Sequence, residues 1–476
     1  MFFYSLWYFL FLMCISVIIQ KSKKNSNTSI YLLLVASVLF YASNSLISLF
    51  LLAFIVVIAY FAGIIVDNSH SRIKLAVSLL LIFLPLFVYK YLNALVESIG
   101  LGQIDIFMTL PVGISFYTLT AAGYVIDIYK KKIKHEPDFR YLSAFITLFC
   151  YYGGPIERAD NILEQLKNAS RSEINENQVC KGLCQLLRGC FMKVYVAETI
   201  AVLVNEVYSD ISSSYGLSIL VATVLFGVQL YCDFEGYSLM AQGSANVLNI
   251  SITSNFRQPY FSVSVTDFWR RWHISLSGWF REYVYFPLGG SRCGIIRRNI
   301  NLMITFLLSG IWHGANWTFV IWGAVNAIYM IVEGSIGLKA VNKKGAKGVL
   351  GRIYTWLLIN FSWIFFRAKS GNDAFYAVKK IFMSIPREIA SILSGKASLS
   401  SILNLNISTV YLYSHIVLGV ILVTVIDCYQ YVKGPLEDNV GKWPKKLVFL
   451  CYFGIALLLM IFGVWTTSSN FIYLGF

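Results

Sequence analysis

The sequence has 476 residues, of which 57% are apolar, 16% aromatic and 13% charged, with a mean hydropathy of +0.65. Soluble domains carry about 25% charged residues, so this chain has too few polar side chains to cover a globule in water. The composition excludes a soluble multidomain enzyme, a nucleic-acid-binding domain, a disordered chain and a fibrous repeat. An outer-membrane barrel would show alternating segments of about ten residues, whereas the apolar runs here are long and continuous. The sequence therefore predicts an all-α polytopic membrane protein.

Basic residues dominate the charge, with 39 Lys and Arg against 24 Asp and Glu, which gives a net charge of +15. In membrane proteins Lys and Arg concentrate in cytoplasmic loops, so the excess mainly reports topology. A cytoplasmic site for an anionic ligand is also compatible with it. The nine cysteines contain no CxxC pair, and no cluster of His, Cys and Asp has metal-ligand spacing, so neither a metal site nor a disulfide framework is expected.

A spanning helix needs about 20 predominantly apolar residues. The predicted spans are 2–20, 30–43, 46–66, 75–93, 110–129, 190–207, 217–234, 354–367, 410–428 and 447–465. Residues 2–20 lack a basic leader and a cleavage site, so they are predicted to be a first span rather than a signal peptide.

The charges of the connecting loops predict the orientation of the chain. The loops at 21–25, 71–74 and 129–134 are basic and are expected in the cytoplasm, which places the N-terminus outside. The basic loops 339–352 and 433–446 are also expected in the cytoplasm, although the polar stretch 370–409, predicted outside, contains lysines. The tail 466–476 is then extracytoplasmic.

Residues 297–333 have the pattern of a hairpin. Arg297 and Arg298 mark one end, and the apolar piece between them and His313 has 11 residues, LMITFLLSGIW, which cover about 16 Å, half of the hydrocarbon thickness. The chain then turns and returns as WTFVIWGAVNAIYMIV. This predicts a re-entrant hairpin with His313 at its tip, near the middle of the bilayer, where an ionisable group indicates function. An imidazole there suits a general base, although a histidine that only joins helices by hydrogen bonds has the same pattern.

Residues 266–292, TDFWRRWHISLSGWFREYVYFPLGGSR, combine charged and aromatic side chains too densely for a lipid-facing span. Two interpretations remain open. One is an interfacial amphipathic helix with an aromatic belt. The other is a cytoplasmic funnel for an anionic donor, with His273 directed into the protein. The other histidines, His70, His135 and His415, are interpreted as loop or interface residues.

The stretch from DFWRRWHISLSGWFREYVYFPLGGSR to NLMITFLLSGIWHGANWTFVIWG (301–323) resembles the signature of membrane-bound O-acyltransferases (MBOAT). Within that family it is similar to the bacterial branch that O-acetylates alginate, peptidoglycan and other surface polysaccharides. Further matching pieces lie at 110–130, 153–166 and 231–260.

The resemblance implies a ring of about 11 transmembrane helices with short re-entrant and interfacial helices around a central tunnel. It divides the chain into N-terminal transmembrane helices (1–109), a catalytic core with the tunnel (110–335) and C-terminal transmembrane helices (336–476). It also implies that an acyl thioester enters from the cytosol and an acceptor from the other side, through a thinned region of the membrane.

The resemblance further implies roles for individual residues. His313 in WHG has the position of the catalytic base, and His273 in RRWHISLS that of the second family histidine. The side chains of Trp312, Asn316, Arg271 and Tyr117 are expected to line or close the tunnel, more weakly than the two histidines. No bound cofactor and no metal are expected.

The ending FIYLGF (471–476) resembles the C-terminal Phe-x-Tyr-x-x-Phe of the same subgroup, which makes Tyr473 a candidate covalent acyl carrier. A phenol has a pKa near 10, so its attack on a thioester needs a base such as His313. An aromatic anchor after the last helix is the alternative interpretation of this tail.

These implications lead to a functional hypothesis. The chain is expected to be a multi-pass acyltransferase of the bacterial cytoplasmic membrane that takes acetyl from acetyl-CoA and passes it to an extracytoplasmic SGNH-type acetyltransferase. The final acceptor is a cell-envelope polysaccharide, peptidoglycan before alginate or another exopolysaccharide, and no nucleic-acid partner is expected. D-alanylation of teichoic acid is an alternative within the class. A proton-coupled transporter is a more distant one, although the chain lacks the internal repeats that transporters often show.

Overall fold

The computed structural model describes residues 3–22, 26–98, 110–169, 175–337, 345–403 and 407–465. Within these ranges all regular structure is helical and no strand occurs. Seven helices are long and apolar enough to cross a membrane, and shorter apolar helices lie at Leu6–Ser22, Thr28–Ala42 and Phe139–Tyr151. The prediction of an all-α polytopic membrane protein is confirmed.

Twenty α-helices follow one another along this part of the chain. They are α1 (Leu6–Ser22), α2 (Ser26–Ala42), α3 (Leu46–Ser69), α4 (Arg72–Ser98), α5 (Ile114–Tyr129), α6 (Phe139–Thr147), α7 (Ala159–Ala169), α8 (Glu176–Cys190), α9 (Glu198–Ser209), α10 (Gly216–Val247), α11 (Val265–Trp269), α12 (Ile274–Phe280), α13 (Ile295–His313), α14 (Trp317–Ser335), α15 (Ala346–Arg367), α16 (Gly371–Leu393), α17 (Leu399–Ile402), α18 (Ile407–Lys433), α19 (Leu436–Asn439) and α20 (Lys445–Phe462). Two π-helical segments, Phe191–Ala197 and Arg281–Tyr285, follow α8 and α12 directly.

Most described residues of the predicted spans lie in helices, although 110–113 precede α5 and 190–207 crosses the π-helical segment into α9. Helix α10 is longer than its predicted span of 217–234. It continues to Val247 and has 32 residues. The apolar run ends at 234 because Asp233 and Glu235 are charged, yet both are buried. Asp233 pairs with Lys193 at 2.5 Å, and Glu235 lies 3.8 Å from Arg188. A buried carboxylate is tolerated when an opposite charge compensates its lost hydration, so the helix continues through these residues.

The predicted hairpin is present, because α13 and α14 pack side by side on either side of the turn at 314–316. Two glycines permit close contact between the backbones. A Cβ atom added to Gly310 would overlap the carbonyl oxygen of Phe319, and one added to Gly323 would overlap that of Phe306. Gly314, the other glycine of the GxxxG spacing, faces the ring of Phe319 instead.

Helix α13 is longer than the apolar piece from which the depth of His313 was predicted. It begins at Ile295, before the arginine pair, and its 19 residues cover about 28 Å. That length is close to the full hydrocarbon thickness of about 30 Å rather than half of it. The position of His313 near the middle of the bilayer stays a prediction, and it requires a thinned membrane or a tilted helix.

Replacing Gly310 by Ala is expected to separate α13 from α14, because the added methyl group overlaps backbone rather than a movable side chain. Overpacking of this kind costs about 1–3 kcal/mol, so the thermal unfolding midpoint of the detergent-solubilised protein should fall by several degrees. Gly454→Ala in α20 is the matched control, since no atom lies within 4 Å of a Cβ at that position. Equal midpoints for the two variants would contradict the close packing of the hairpin.

Candidate active site

A cavity of about 610 Å³ lies between α11, α12 and the hairpin of α13 and α14, and both His273 and His313 line it. The two histidines belong to different sequence motifs, and the fold brings them together in the wall of one cavity. The other lining residues are Thr266, Trp269, Arg270, Trp272, Leu276, Ser277, Phe280, Arg281, Tyr285, Ser291, Arg298, Leu302, Thr305, Phe306, Ser309, Met330, Glu333 and Gly334.

One face of α13 forms a long side of this cavity. The lining residues Arg298, Leu302, Thr305, Ser309 and His313 are spaced by three or four positions, which puts them on one side of a helix. The 15 residue steps from Arg298 to His313 correspond to about 22 Å along the helix axis. The cavity is thus elongated, with an arginine at one end and the imidazole of His313 at the other.

Aromatic rings surround His313, whose exposed fraction is 3%. Its ring centroid lies 4.9 Å from that of Trp312, 5.1 Å from that of Trp322 and 5.2 Å from that of Phe366. The imidazole is therefore held in an apolar environment from which bulk water is largely excluded.

Three tryptophan side chains near this apolar environment are unusual in the hydrogen bonding of their indole N–H groups. The Nε1 atoms of Trp312, Trp322 and Trp363 are buried and have no hydrogen-bond acceptor within the described ranges. Trp363 stacks on Trp322 with a centroid distance of 6.1 Å. Buried indole N–H groups usually find an acceptor, so these three donors are exceptions, although none of the three residues is among those that line the cavity.

His273 lies at a break in the chain rather than in one continuous interfacial helix. Residues 266–292 form two short helices, α11 and α12, followed by the π-helical segment and a turn. His273 separates the two helices with a left-handed backbone (φ +43°). For a residue other than glycine this conformation costs about 1–2 kcal/mol, and such strain is concentrated at functional sites.

Asn255 holds the strained segment in place. Its backbone carbonyl accepts a hydrogen bond from the N–H of Ile274 at 2.9 Å. Its side-chain Oδ1 accepts from the hydroxyl of Ser275 at 2.6 Å, and its Nδ2 donates to the hydroxyl of Ser238 at 3.2 Å. These bonds connect the residues that follow His273, through Asn255, to Ser238 of α10.

Trp312 connects the two histidines. The ring centroid of His273 lies 6.2 Å from that of Trp312 and 4.5 Å from that of Phe234. Trp312 is itself 4.9 Å from His313, so its indole is a common neighbour of both imidazoles. A ligand at this end of the cavity can contact both rings.

The other end of the cavity is positively charged. Arg298 lies at that end, Arg270 and Arg281 line the cavity with exposed side chains, and none of these three residues, here called the arginine rim, forms an ion pair with a carboxylate of the described residues. Glu333 is the acidic lining residue, but its carboxylate accepts hydrogen bonds from the backbone N–H groups of Val265 at 2.6 Å and of Thr266 at 3.0 Å. The N–H groups at the start of α11 therefore compensate the negative charge of Glu333, and the rim is suited to an anion.

Ion pairs of Glu282, the residue that follows Arg281, connect this rim to the loop 129–134. The ammonium of Lys132 lies 2.6 Å from the carboxylate of Glu282, and Arg158 contacts the same carboxylate at 3.3 Å. The hydrogen bond to Glu282 raises the pKa of Lys132, so the ammonium stays charged at neutral pH. Because 129–134 is a predicted cytoplasmic loop, the arginine rim is expected on the cytoplasmic side.

The residues that were predicted more weakly to line or close the tunnel lie in different parts of the structure. Trp312 packs between the two histidines, as described above. Asn316 accepts from the N–H of Thr318 at 3.0 Å as the N-cap of α14. Arg271 pairs with Asp267 at 3.0 Å and is absent from the cavity wall, where its neighbour Arg270 lies. Tyr117 is buried in α5 and also does not line the cavity. Tyr473 lies outside the described residues.

Two polar residues at the site were not predicted. Asn255 lies in the motif 231–260, but no pattern in the sequence distinguishes it from other loop asparagines. Lys90 is a lone lysine in the predicted span 75–93, and its Nζ donates to the carbonyl oxygen of Trp312 at 2.5 Å. A cation within an apolar span was a signal that could have identified Lys90.

Replacing Asn255 by Ala is expected to lower the free energy of unfolding by about 1–3 kcal/mol, because the buried Ser238 and Ser275 lose their hydrogen bonds to the Asn255 side chain. Asn439→Ala is the control, since the amide of Asn439 makes only solvent-exposed hydrogen bonds. Thermal unfolding of the two purified variants measures the difference. An Asn255 variant as stable as the control would show that the network does not hold the segment.

Comparison with known proteins gives the family of this chain. Residues 37–366 match the membrane-bound O-acyltransferase family. A Pseudomonas aeruginosa protein named probable alginate O-acetylase AlgI is 33% identical over 365 residues, 74% of this chain and 69% of that protein. The peptidoglycan O-acetyltransferase of Helicobacter pylori is 31% identical over 401 residues, 76% of this chain and 75% of that protein. The teichoic acid D-alanyltransferase of Bacillus subtilis is 27% identical over 235 residues, 46% of this chain and 57% of that protein. The chain belongs to the membrane-bound O-acyltransferase family and is a multi-pass membrane acyltransferase.

Proposed function

We propose that this acyltransferase takes an acetyl group from cytoplasmic acetyl-CoA and transfers it across the membrane for O-acetylation of a cell-envelope polysaccharide. The cavity is the observation that supports this proposal most directly. Its arginine rim suits the phosphates of coenzyme A, because guanidinium groups bind phosphate oxygens in pairs. Its length suits an extended thioester arm, and its other end presents His313 to the acyl carbon.

His313 would act as general base. Its imidazole takes the proton of the acceptor hydroxyl, and the resulting oxyanion forms a C–O bond to the thioester carbon. The C–S bond then breaks, and the proton on the imidazolium passes to the leaving thiolate to give free CoA. Each proton and electron pair is accounted for within the donor, the acceptor and one histidine.

The negative charge that develops on the carbonyl oxygen needs hydrogen-bond donors. The indole N–H groups of Trp312 and Trp322 are next to His313 and have no acceptor of their own. His273, which packs against Trp312, can donate a further N–H. Donors that are already oriented stabilise such an oxyanion without reorganisation, which makes them effective in an apolar site.

We further propose that Tyr473 is the first acceptor and that an SGNH-type acetyltransferase outside the membrane receives acetyl from it. The charge-based topology supports this, because it puts the tail 466–476 and the N-terminus outside the cytoplasmic membrane. The described chain ends beside the core, where the N–H of Val464 donates to the carbonyl of Val194 at 3.1 Å. Transfer directly to the partner, without Tyr473, is the alternative route.

The relatives support more than one final acceptor. The two that cover about three quarters of this chain are named for alginate and for peptidoglycan, and we propose peptidoglycan first and an exopolysaccharide such as alginate second. D-alanyl transfer to teichoic acid is supported less, because that relative matches only 46% of the chain. All three relatives are named for acyl transfer, so they give no support to the alternative of a proton-coupled transporter.

The replacement His313→Ala tests the catalytic assignment. Loss of a general base lowers the rate by about 10²–10⁴-fold, so release of free CoA from acetyl-CoA by the purified protein should nearly cease. His415→Ala is the control, because His415 contacts Tyr195 and lies away from the cavity wall. An unchanged rate for the His313 variant would contradict the proposed role.

Mass spectrometry of the C-terminal peptide tests the carrier. After incubation of the full chain with isotopically labelled acetyl-CoA, we expect one acetyl group on Tyr473 and none in the His313→Ala variant. In cells, Tyr473→Phe should abolish acetylation of the surface polymer while the protein stays in the membrane. Full surface acetylation by the Tyr473 variant would contradict the carrier route and leave direct transfer.

A further inference from the structure

Lys90 is a cation in an otherwise apolar part of a helix. It lies 18 residues after Arg72 in α4, whose candidate span Arg72–Glu97 contains an 18-residue window with a mean hydropathy of 2.1. A lysine within a span is costly unless its ammonium is bound inside the protein. The group that the Lys90 side chain binds therefore indicates the role of this residue.

The partner of Lys90 is the end of the helix that presents His313. The Nζ atom of Lys90 donates to the carbonyl oxygen of Trp312 at 2.5 Å, and the hydroxyl of Tyr91 donates to the carbonyl oxygen of Ile311 at 2.6 Å. These carbonyls belong to the last turn of α13, where a helix leaves its acceptors without regular partners. Two consecutive side chains of α4 thus bind the two carbonyls that precede His313.

Charge strengthens this contact. The carbonyl end of a helix is the negative end of its dipole, and a cation there is stabilising. The Nζ atom of Lys90 also lies 5.4 Å from the ring centroid of Trp312, within cation–π range. Lys90 therefore contacts both the backbone and the indole of the residue that separates the two histidines.

The hairpin alone does not fix this end of α13. The glycine contacts at Gly310 and Gly323 set the distance between α13 and α14, but Gly314 leaves the helix in an extended conformation. On the other side of the turn, Asn316 donates to the carbonyl of Lys369 at 2.7 Å. The orientation of the His313 backbone thus depends on the contacts made by Lys90 and Tyr91 on one side and by Asn316 on the other.

We propose that Lys90 is a positioning residue for acyl transfer, which with Tyr91 fixes the last turn of α13 and holds the imidazole of His313 in the reactive orientation. This inference rests on the proposed role of His313. It also makes α4, which precedes the core segment 110–335, a structural part of the active site.

Four variants test the proposal, with free CoA release from acetyl-CoA by the full-length protein in lipid nanodiscs as the assay. Lys90→Met removes the ammonium but keeps the length of the side chain, and a misplacement of about 1 Å should lower kcat by about 10²-fold with little change in KM for acetyl-CoA. Lys90→Arg keeps a cationic donor and should recover most of the rate. Tyr91→Phe removes one hydroxyl and should give a smaller loss of kcat. Lys74→Met is the control, because Lys74 is exposed on the same helix.

The outcomes separate this inference from the proposed function. If His313→Ala loses activity but Lys90→Met and Tyr91→Phe keep the wild-type kcat, the positioning role is wrong while the base stands. If wild-type protein releases no CoA, the proposed donor is wrong. If Lys90→Met does not fold, Tyr91→Phe decides, since loss of a hydroxyl at the protein surface should leave the fold intact. An equal loss for Lys90→Arg and Lys90→Met would also contradict the role of the cation.

Discussion

The structure depends on the requirement that a polar group buried in an apolar membrane protein must find its partner inside the protein. Lys193 forms an ion pair with Asp233, Asn255 accepts a hydrogen bond from Ser275, and Lys90 donates one to the backbone carbonyl of Trp312. Each pair joins segments that are distant in sequence, so the same contacts that satisfy hydrogen bonds also shape the interior. Among the described residues, Trp312 and Trp322 next to His313 have buried indole donors without an acceptor, and so does Trp363, which stacks on Trp322. Unmet donors at that place are consistent with a site completed by its substrate.

The cavity combines two environments that an acyl transfer from a soluble donor requires. Its rim has three arginines and is suited to an anionic carrier, while its inner end around His313 is apolar and would shield the proposed thioester from water. Low polarity at the inner end strengthens every hydrogen bond made there and suppresses hydrolysis of the acyl group. The two ends are joined by one face of α13, so a single helix connects the proposed donor-binding end to His313, the proposed base.

The sequence predicted the helical spans and the hairpin, because long apolar runs with a turn between them are local patterns, while the catalytic roles of His273 and His313 stay predictions. It did not predict the continuation of α10 beyond 234, since the buried carboxylates there are compensated by Lys193 and Arg188 from another segment. The break at His273 and its support by Asn255 were likewise missed, because left-handed backbone at a histidine is imposed by tertiary contacts. The tunnel-lining roles of Trp312, Asn316, Arg271 and Tyr117 came from resemblance alone, and none of the four is among the residues that line the cavity. The division into three segments stays a prediction.

The central claim is that an acyl-CoA occupies this cavity with its acyl carbon beside His313. An experimental structure of the full chain with a non-reactive thioether analogue of acetyl-CoA tests it most directly. The account predicts density for the phosphates at Arg270, Arg281 and Arg298 and for the acetyl mimic next to the imidazole of His313. An analogue bound elsewhere, or a cavity left empty at saturating concentration, would contradict it.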